Sequence, residues 1–362
     1  MVDKVYKNMS NAFSVFSYAD DYDTLFCITI DRILVKICIK DFTMQYIELN
    51  SGQEYLEGFN STHSIYSNGK IFLFSYDGSM YLVYDIKLNE IYKHDIGGIH
   101  PTDLYDRSNI LDVKYNGGSI FCFIRSNSLI VIVNAMTGEI KDTLSLKADI
   151  SKAIAVFHNG KEYFFNNNAS IVECFDFDNK ELVEINFKTE MDNLECVYSD
   201  GTNLYFLSNS GAVTMTNFIE NRKLCDIHGK KDEFSLVFKT GDIIWVFPKF
   251  GEDIYYIDIN GIGHKYEQYD DDFRYCAEKT WFEIGWKYIN YLDIGDIIIF
   301  PLRIGNKMIL VDKENGKLSM RPINMPSKSN LIKYLLETKY ILKEGSSNIN
   351  IDDFLDYVDM TI

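Results

Sequence analysis

Residues 241–263 read GDIIWVFPKFGEDIYYIDINGIG, and residues 295–318 read GDIIIFPLRIGNKMILVDKENGKL. Both phrases open on a Gly-Asp turn and run through branched and aromatic residues to a proline, Pro248 or Pro301. A polar break follows, then a second apolar run closed by Asp258 or Asp312. Short runs rich in branched and aromatic residues and bounded by turn formers are strands, not helices. A proline at the end of such a strand gives up a backbone N–H where the ladder needs it least.

The same phrase runs outward through the chain. First-turn glycines fall at Gly69, Gly117, Gly160, Gly201, Gly241 and Gly295, and the runs after them read KIFLFSYD, SIFCFI, KEYFFNN, NLYFLSN, DIIWVFP and DIIIFP. A second set of apolar runs closes at Asp41, Asp85, Asn134, Asp176, Asn217, Asp258 and Asp312, spaced 41 to 54 residues apart. Asp and Asn bond to backbone two residues on, and nearby Gly or Asn supplies positive φ, so each closing residue marks a hairpin turn. A period of about 40 to 50 residues with four short strands per unit is that of a β-propeller blade. The second unit supplies HSIYS, KIFLFSYD, SMYLVYDI and EIYKHDI as its four strands. The expected fold is therefore all-β, a propeller of about seven four-stranded blades, with six or eight as alternatives.

The repeats resemble the WD40-like and quinoprotein-like propeller superfamilies. VNAMTGEI and VDKENGKL are similar to the strand–turn–strand element of quinoprotein-type repeats. The blades lack the GH…WD dipeptides of WD40 repeats, and three tryptophans in the whole chain are too few for the recurrent tryptophans of cofactor-binding quinoproteins. The resemblance implies the fold and names no cofactor or substrate.

Two segments break the period. The connection GHKYEQYDDDFRYCAEKTWFEIGWKYINYLDIG, between the sixth and seventh units, is longer than the others and holds two of the three tryptophans. After Pro326, Leu331, Leu335, Leu336 and Tyr340 recur at helical spacing, and Asn350 before IDDFLDYV is a candidate N-cap. The division expected is a propeller over residues 1–326 and a short α-helical tail over 327–362.

Composition narrows the chemistry. A formal net charge of −17 would repel a nucleic-acid duplex or an anionic bilayer, so neither is expected as a partner. No segment approaches the roughly 20 apolar residues of a membrane span. Seven cysteines, an odd number without a CxxC, sit mostly inside apolar runs such as LFCITI and SIFCFI, which fits reduced thiols and a cytoplasmic setting. There is no GxSxG, no phosphate-binding glycine loop opening a helix, and no local Cys–His pairing. NGGSI at Asn116 is read as a hairpin turn, and DFDNKE at Asp176 as another, without need of an ion. Neither a metal nor a cofactor is expected.

The candidate recognition residues come from the irregular connection: Tyr269, Asp270, Asp271, Asp272, Arg274, Trp281 and Trp286. Lys249, Phe250 and Arg303 would join them from turns between second and third strands on the adjoining blades. Aromatics set among charges suit a binding surface. The competing reading packs Trp281 and Trp286 into the core of an irregular first strand of the seventh blade. The function expected is a non-catalytic module that binds a protein, peptide or glycan through one propeller face. The alternatives are an enzyme of lyase or hydrolase type, with a composite pocket at the channel mouth, and a structural subunit that docks through its helical tail.

Overall fold

The computed structural model describes residues 13–29, 32–97, 108–189, 191, 193–227, 234–248, 254–267, 291–301 and 307–326. The expected helical tail lies outside these residues. Among the described residues twenty-eight strands, numbered β1 to β28 in chain order, form seven four-stranded antiparallel sheets, each built from consecutive strands. The architecture is a seven-bladed β-propeller. The first strands of the blades are β1 (Phe13–Ala19), β5 (Ser61–Ser67), β9 (Ile110–Asn116), β13 (Ile154–His158), β17 (Leu194–Ser199), β21 (Phe234–Thr240) and β25 (Leu292–Ile294). β1 meets β5, β5 meets β9, and so on to β21, while β25 returns to β1, so these strands surround the axis.

Each blade is covered on both faces by its neighbours, and this dictates the sequence of its middle strands. The second strand of blade three, β10 (Ser119–Ile124), is buried at every residue and so carries a continuous apolar run instead of an alternating one. The outermost strand of the same blade, β12 (Ile140–Ser145), is exposed along most of its length and is polar. Seven apolar clusters fill the seven interfaces between blades. The cluster of Phe16, Leu25, Val35, Ile299, Met308 and Ile323 joins blade seven to blade one. Outside it, Asn324 accepts from the Met44 N–H (3.0 Å), donates its own N–H to Phe42 O (2.8 Å) and sends its side-chain amide to Asp41 O (2.8 Å). Among the described residues the ring closes through this clasp, with no strand shared between first and last blades.

The turns follow the expected chemistry in six blades. In blade seven, Asp312 Oδ1 accepts the N–H groups of Glu314 (2.9 Å) and Asn315 (3.0 Å), and Gly316 takes φ 65°. Asn116 and Ser119 flank a two-residue turn in which Gly117 and Gly118 both have positive φ, and Asp176 holds the N–H groups of Asp178 and Asn179. Blade one differs. Its turn closes at Cys38, which accepts the Phe42 N–H (2.8 Å) and donates to Thr43 O (3.1 Å), while Phe42 takes φ 56°. Asp41 lies inside that turn and accepts from the Thr43 N–H at 2.9 Å. Asp41 serves the same backbone-binding purpose three residues later than the repeat requires, which is why its spacing misplaces the turn.

Candidate binding site

Every blade is a copy of one plan, so equivalent positions can be compared within the chain. Near the end of each first strand, one residue pairs across to the second strand: Tyr18 with Leu25, Tyr66 with Ile71, Tyr115 with Ile120, and Phe157 with Glu162. In the remaining blades the pairs are Ser199 with Leu204, Lys239 with Ile244, and Asp293 with Ile298. The second-strand partner is a buried Leu or Ile in six blades. In blade four it is Glu162, which is 0% exposed.

Glu162 is buried with neither oxygen in contact with an N–H or O–H donor. Burial pushes its pKa well above the ordinary carboxyl value, and the nearby Asp112 carboxylate pushes it further, so the group holds its proton. Asp112 and Lys114 project from β9 and form an ion pair of 2.9 Å. Their side chains are 21% and 32% exposed, because an innermost strand borders the axial channel. Burial raises the cost of charge on Lys114, but the Asp112 carboxylate outweighs it and keeps the ammonium protonated. His63, on β5, bonds to Thr62 Oγ1 at 3.1 Å. Burial drives its pKa down to about 4, with Arg125 and Lys114 adding to the fall and Asp112 opposing it, so the ring is neutral at pH 7. The Arg125 guanidinium is fixed by the carbonyls of Ser151 (3.1 Å) and Ala153 (2.8 Å). The channel wall at blades two to four therefore sets a neutral acid beside a carboxylate, an ammonium and a neutral imidazole.

Propeller topology defines two faces. One carries the turns between first and second strands and between third and fourth strands; the other carries the second-to-third turns and the connections between blades. On the first face the strand ends present Tyr115 (47% exposed) and Phe157 (43%), and the β1 turn presents Tyr22 (46%). The Tyr66 hydroxyl donates to Asp21 Oδ2 (2.5 Å) and accepts from the Gly69 N–H (3.2 Å), with the Tyr22 hydroxyl beside Gly69. On the second face, Asn109 joins blades two and three through Asp77 O (2.7 Å), Ser126 Oγ (3.0 Å) and the Ser126 N–H (2.9 Å).

All ten residues proposed from the sequence, namely Lys249, Phe250, Tyr269, Asp270, Asp271, Asp272, Arg274, Trp281, Trp286 and Arg303, lie outside the described residues. The sequence reading passed over Asp112, Lys114, Glu162 and His63. A signal for one of them was present: KEYFF carries an acid where the runs KIFLF and SIFCF carry isoleucine. Among the described residues no three His, Cys, Asp or Glu side chains gather as a metal would require. His94 instead stacks on Tyr81 (4.9 Å), and His264 pairs with Asp258 at 3.0 Å.

No family model matches the chain, and no curated protein matches it in sequence. Solved structures do match in fold. A streptogramin B lyase superposes with a TM-score of 0.56 at 14% identity, covering 87% of this chain and 96% of the lyase. BamB from Moraxella catarrhalis gives 0.50 at 13% identity, covering 85% of this chain and 82% of BamB. PorZ, a surface component of the type-IX secretion system of Porphyromonas gingivalis, gives 0.54 at 9% identity; the match covers 88% of this chain but only 38% of PorZ. At these identities the likeness is one of fold alone. The chain is a β-propeller, a class that serves both binding and catalysis.

Proposed function

We propose that the chain is a non-catalytic binding module that recognises a protein, peptide or glycan through a propeller face. The observation that carries this reading is the ring itself. Seven apolar interfaces bury the blades against one another, while large aromatic and aliphatic side chains remain exposed on the turns. Blade packing accounts for the first set and leaves the second available to a partner. The irregular connection from Tyr269 to Trp286, with Lys249, Phe250 and Arg303, is the reading surface proposed for the second face. The inferred setting is cytoplasmic, supported by the free thiols of Cys27, Cys38, Cys122, Cys174, Cys196 and Cys225. The test is native purification followed by mass spectrometry of what accompanies the chain. The triple change Asp270→Ser, Asp271→Ser, Asp272→Ser should release the partner and leave the fold intact. Retention by the triple variant, with loss on truncation after Pro326, would transfer the contact to the tail.

A second reading has its own observation. Glu162 is a buried carboxyl that holds its proton beside Asp112 and Lys114, and a carboxyl kept neutral by its surroundings can serve as a general acid. This supports an enzyme of lyase or hydrolase type with its pocket in the channel. A small molecule that co-purifies with the wild-type chain and is lost on Asp112→Asn would favour it over the binding module.

A further inference from the structure

The channel mouth on the first face carries a pattern that blade packing does not require. The seven turns joining first to second strands read DDYD, NG, GG, NG, DGTN, GD and GD. They hold six acids (Asp20, Asp21, Asp23, Asp200, Asp242 and Asp296) and no Lys or Arg. Two of these acids have cationic partners: Asp23 with Lys40 at 3.1 Å and Asp200 with Lys239 at 3.3 Å. Asp20, Asp21, Asp242 and Asp296 are exposed, and none pairs with a Lys or Arg among the described residues. Beside this ring, four consecutive blades carry an aromatic residue at one register position: Tyr18, Tyr66, Tyr115 and Phe157. Tyr115 and Phe157 are exposed, and the half-buried Tyr18 and Tyr66 donate their hydroxyls to Asp23 and Asp21 of the ring. An independent feature sits at the same level. Glu162 pairs with Phe157 on the same side of its sheet, fully buried, with no donor on either oxygen.

We propose that this mouth docks a polypeptide segment bearing Lys or Arg. Aromatic faces beside carboxylates attract a cation twice, through the ring quadrupole and through charge. Glu162 and Asp112, from adjoining blades, are two carboxyls set against a single ammonium, that of Lys114. The proposal concerns the face opposite the one proposed for Tyr269–Trp286 and stands or falls separately from it.

The probe is a fluorescent ten-residue peptide alternating Arg with Ser, compared with a Glu-for-Arg peptide of equal length. Anisotropy should show the basic peptide binding and the acidic one not. The quadruple change Asp20→Asn, Asp21→Asn, Asp242→Asn, Asp296→Asn should weaken binding about tenfold or more. Tyr115→Ser with Phe157→Ser should weaken it about fivefold without altering net charge. An equal change of charge elsewhere on this face, Glu139→Gln, Asp178→Asn, Glu220→Gln, Glu314→Gln, controls for the acidity of the chain as a whole and should have a much smaller effect. Circular dichroism confirms that each variant folds. Equal weakening by the two quadruple sets, or full affinity in the aromatic double variant, would overturn the proposal. So would loss of the peptide in the Asp270–Asp272 triple variant alone, which would assign it to the other face.

Discussion

Glu162 shows how one residue can depart from a repeat at a measurable cost. Six equivalent positions hold Leu or Ile, so Glu162→Leu returns blade four to the common plan and leaves the Lys114–Asp112 pair intact. Replacing buried ionisable groups with apolar ones of similar size is commonly neutral or stabilising by about 1–4 kcal/mol, and a rise of that order in urea unfolding is expected. The pH dependence gives the sign. The Glu162 pKa is raised in the folded chain, so its contribution is complete below the ordinary 4.5 and is lost as pH climbs toward the folded value. The stability gained by the leucine variant should therefore be larger at pH 7 than at pH 4. His63 acts in the opposite direction. Its pKa falls from 6.5 to about 4, so its contribution is complete above 6.5 and is lost as pH drops toward about 4. That loss amounts to up to about 3 kcal/mol, and His63→Gln should flatten the unfolding curve over this window. An unchanged pH profile in either variant would show that the group is not buried as described.

At the scale of the element, the hairpin closing blade seven separates hydrogen bonding from backbone geometry. Asp312→Ala removes the acceptor of two backbone N–H groups in an exposed turn and should cost about 1 kcal/mol. Gly316→Val should cost more. The position has φ 65°, and a Cβ there would meet Ile243 Cδ1 at 2.6 Å, a clash added to the strain of the left-handed region. Equal and negligible losses at the two sites, read from thermal unfolding, would contradict the turn geometry. The same chemistry explains which turns the sequence reveals. Asp312 and Gly316 announce themselves because few residues do their work. Blade one places Phe42 in the left-handed position and Cys38 at the closing one, and neither residue type signals a turn.

For the whole molecule, the weak point of the ring is its closure, where the described residues share no strand between first and last blades. Met308 is fully buried between blades seven and one, and Met308→Ala should cost about 2–5 kcal/mol, the range for core truncations. If the ring unfolds as a unit, urea titrations followed by tyrosine fluorescence and by circular dichroism should shift together. Separate transitions would show that the blades unfold independently. The electrostatic expectation also belongs to this scale. With a net charge of −17, the chain should not retard duplex DNA or RNA at physiological salt, and a salt-sensitive shift at micromolar protein would contradict it.

The repeat, the strands and the blade number were legible in the sequence because they rest on short-range chemistry. Branched and aromatic residues extend the backbone, while Gly, Asn and Asp turn it, and these preferences act within a few residues. SIFCFI reads as a strand before any neighbour is known, and β10 is that strand, buried at every residue. The tertiary structure alone decided what stands opposite what. Asp112 and Glu162 are 50 residues apart in the chain and are brought together only by the packing of blade three on blade four. Asp20 and Asp296 share a channel mouth only because blade seven returns to blade one. A carboxyl in a list of residues carries no sign of burial. It becomes a proton-holding group when neighbouring sheets remove its water, and that depends on which side of the strand it occupies and which blade covers it.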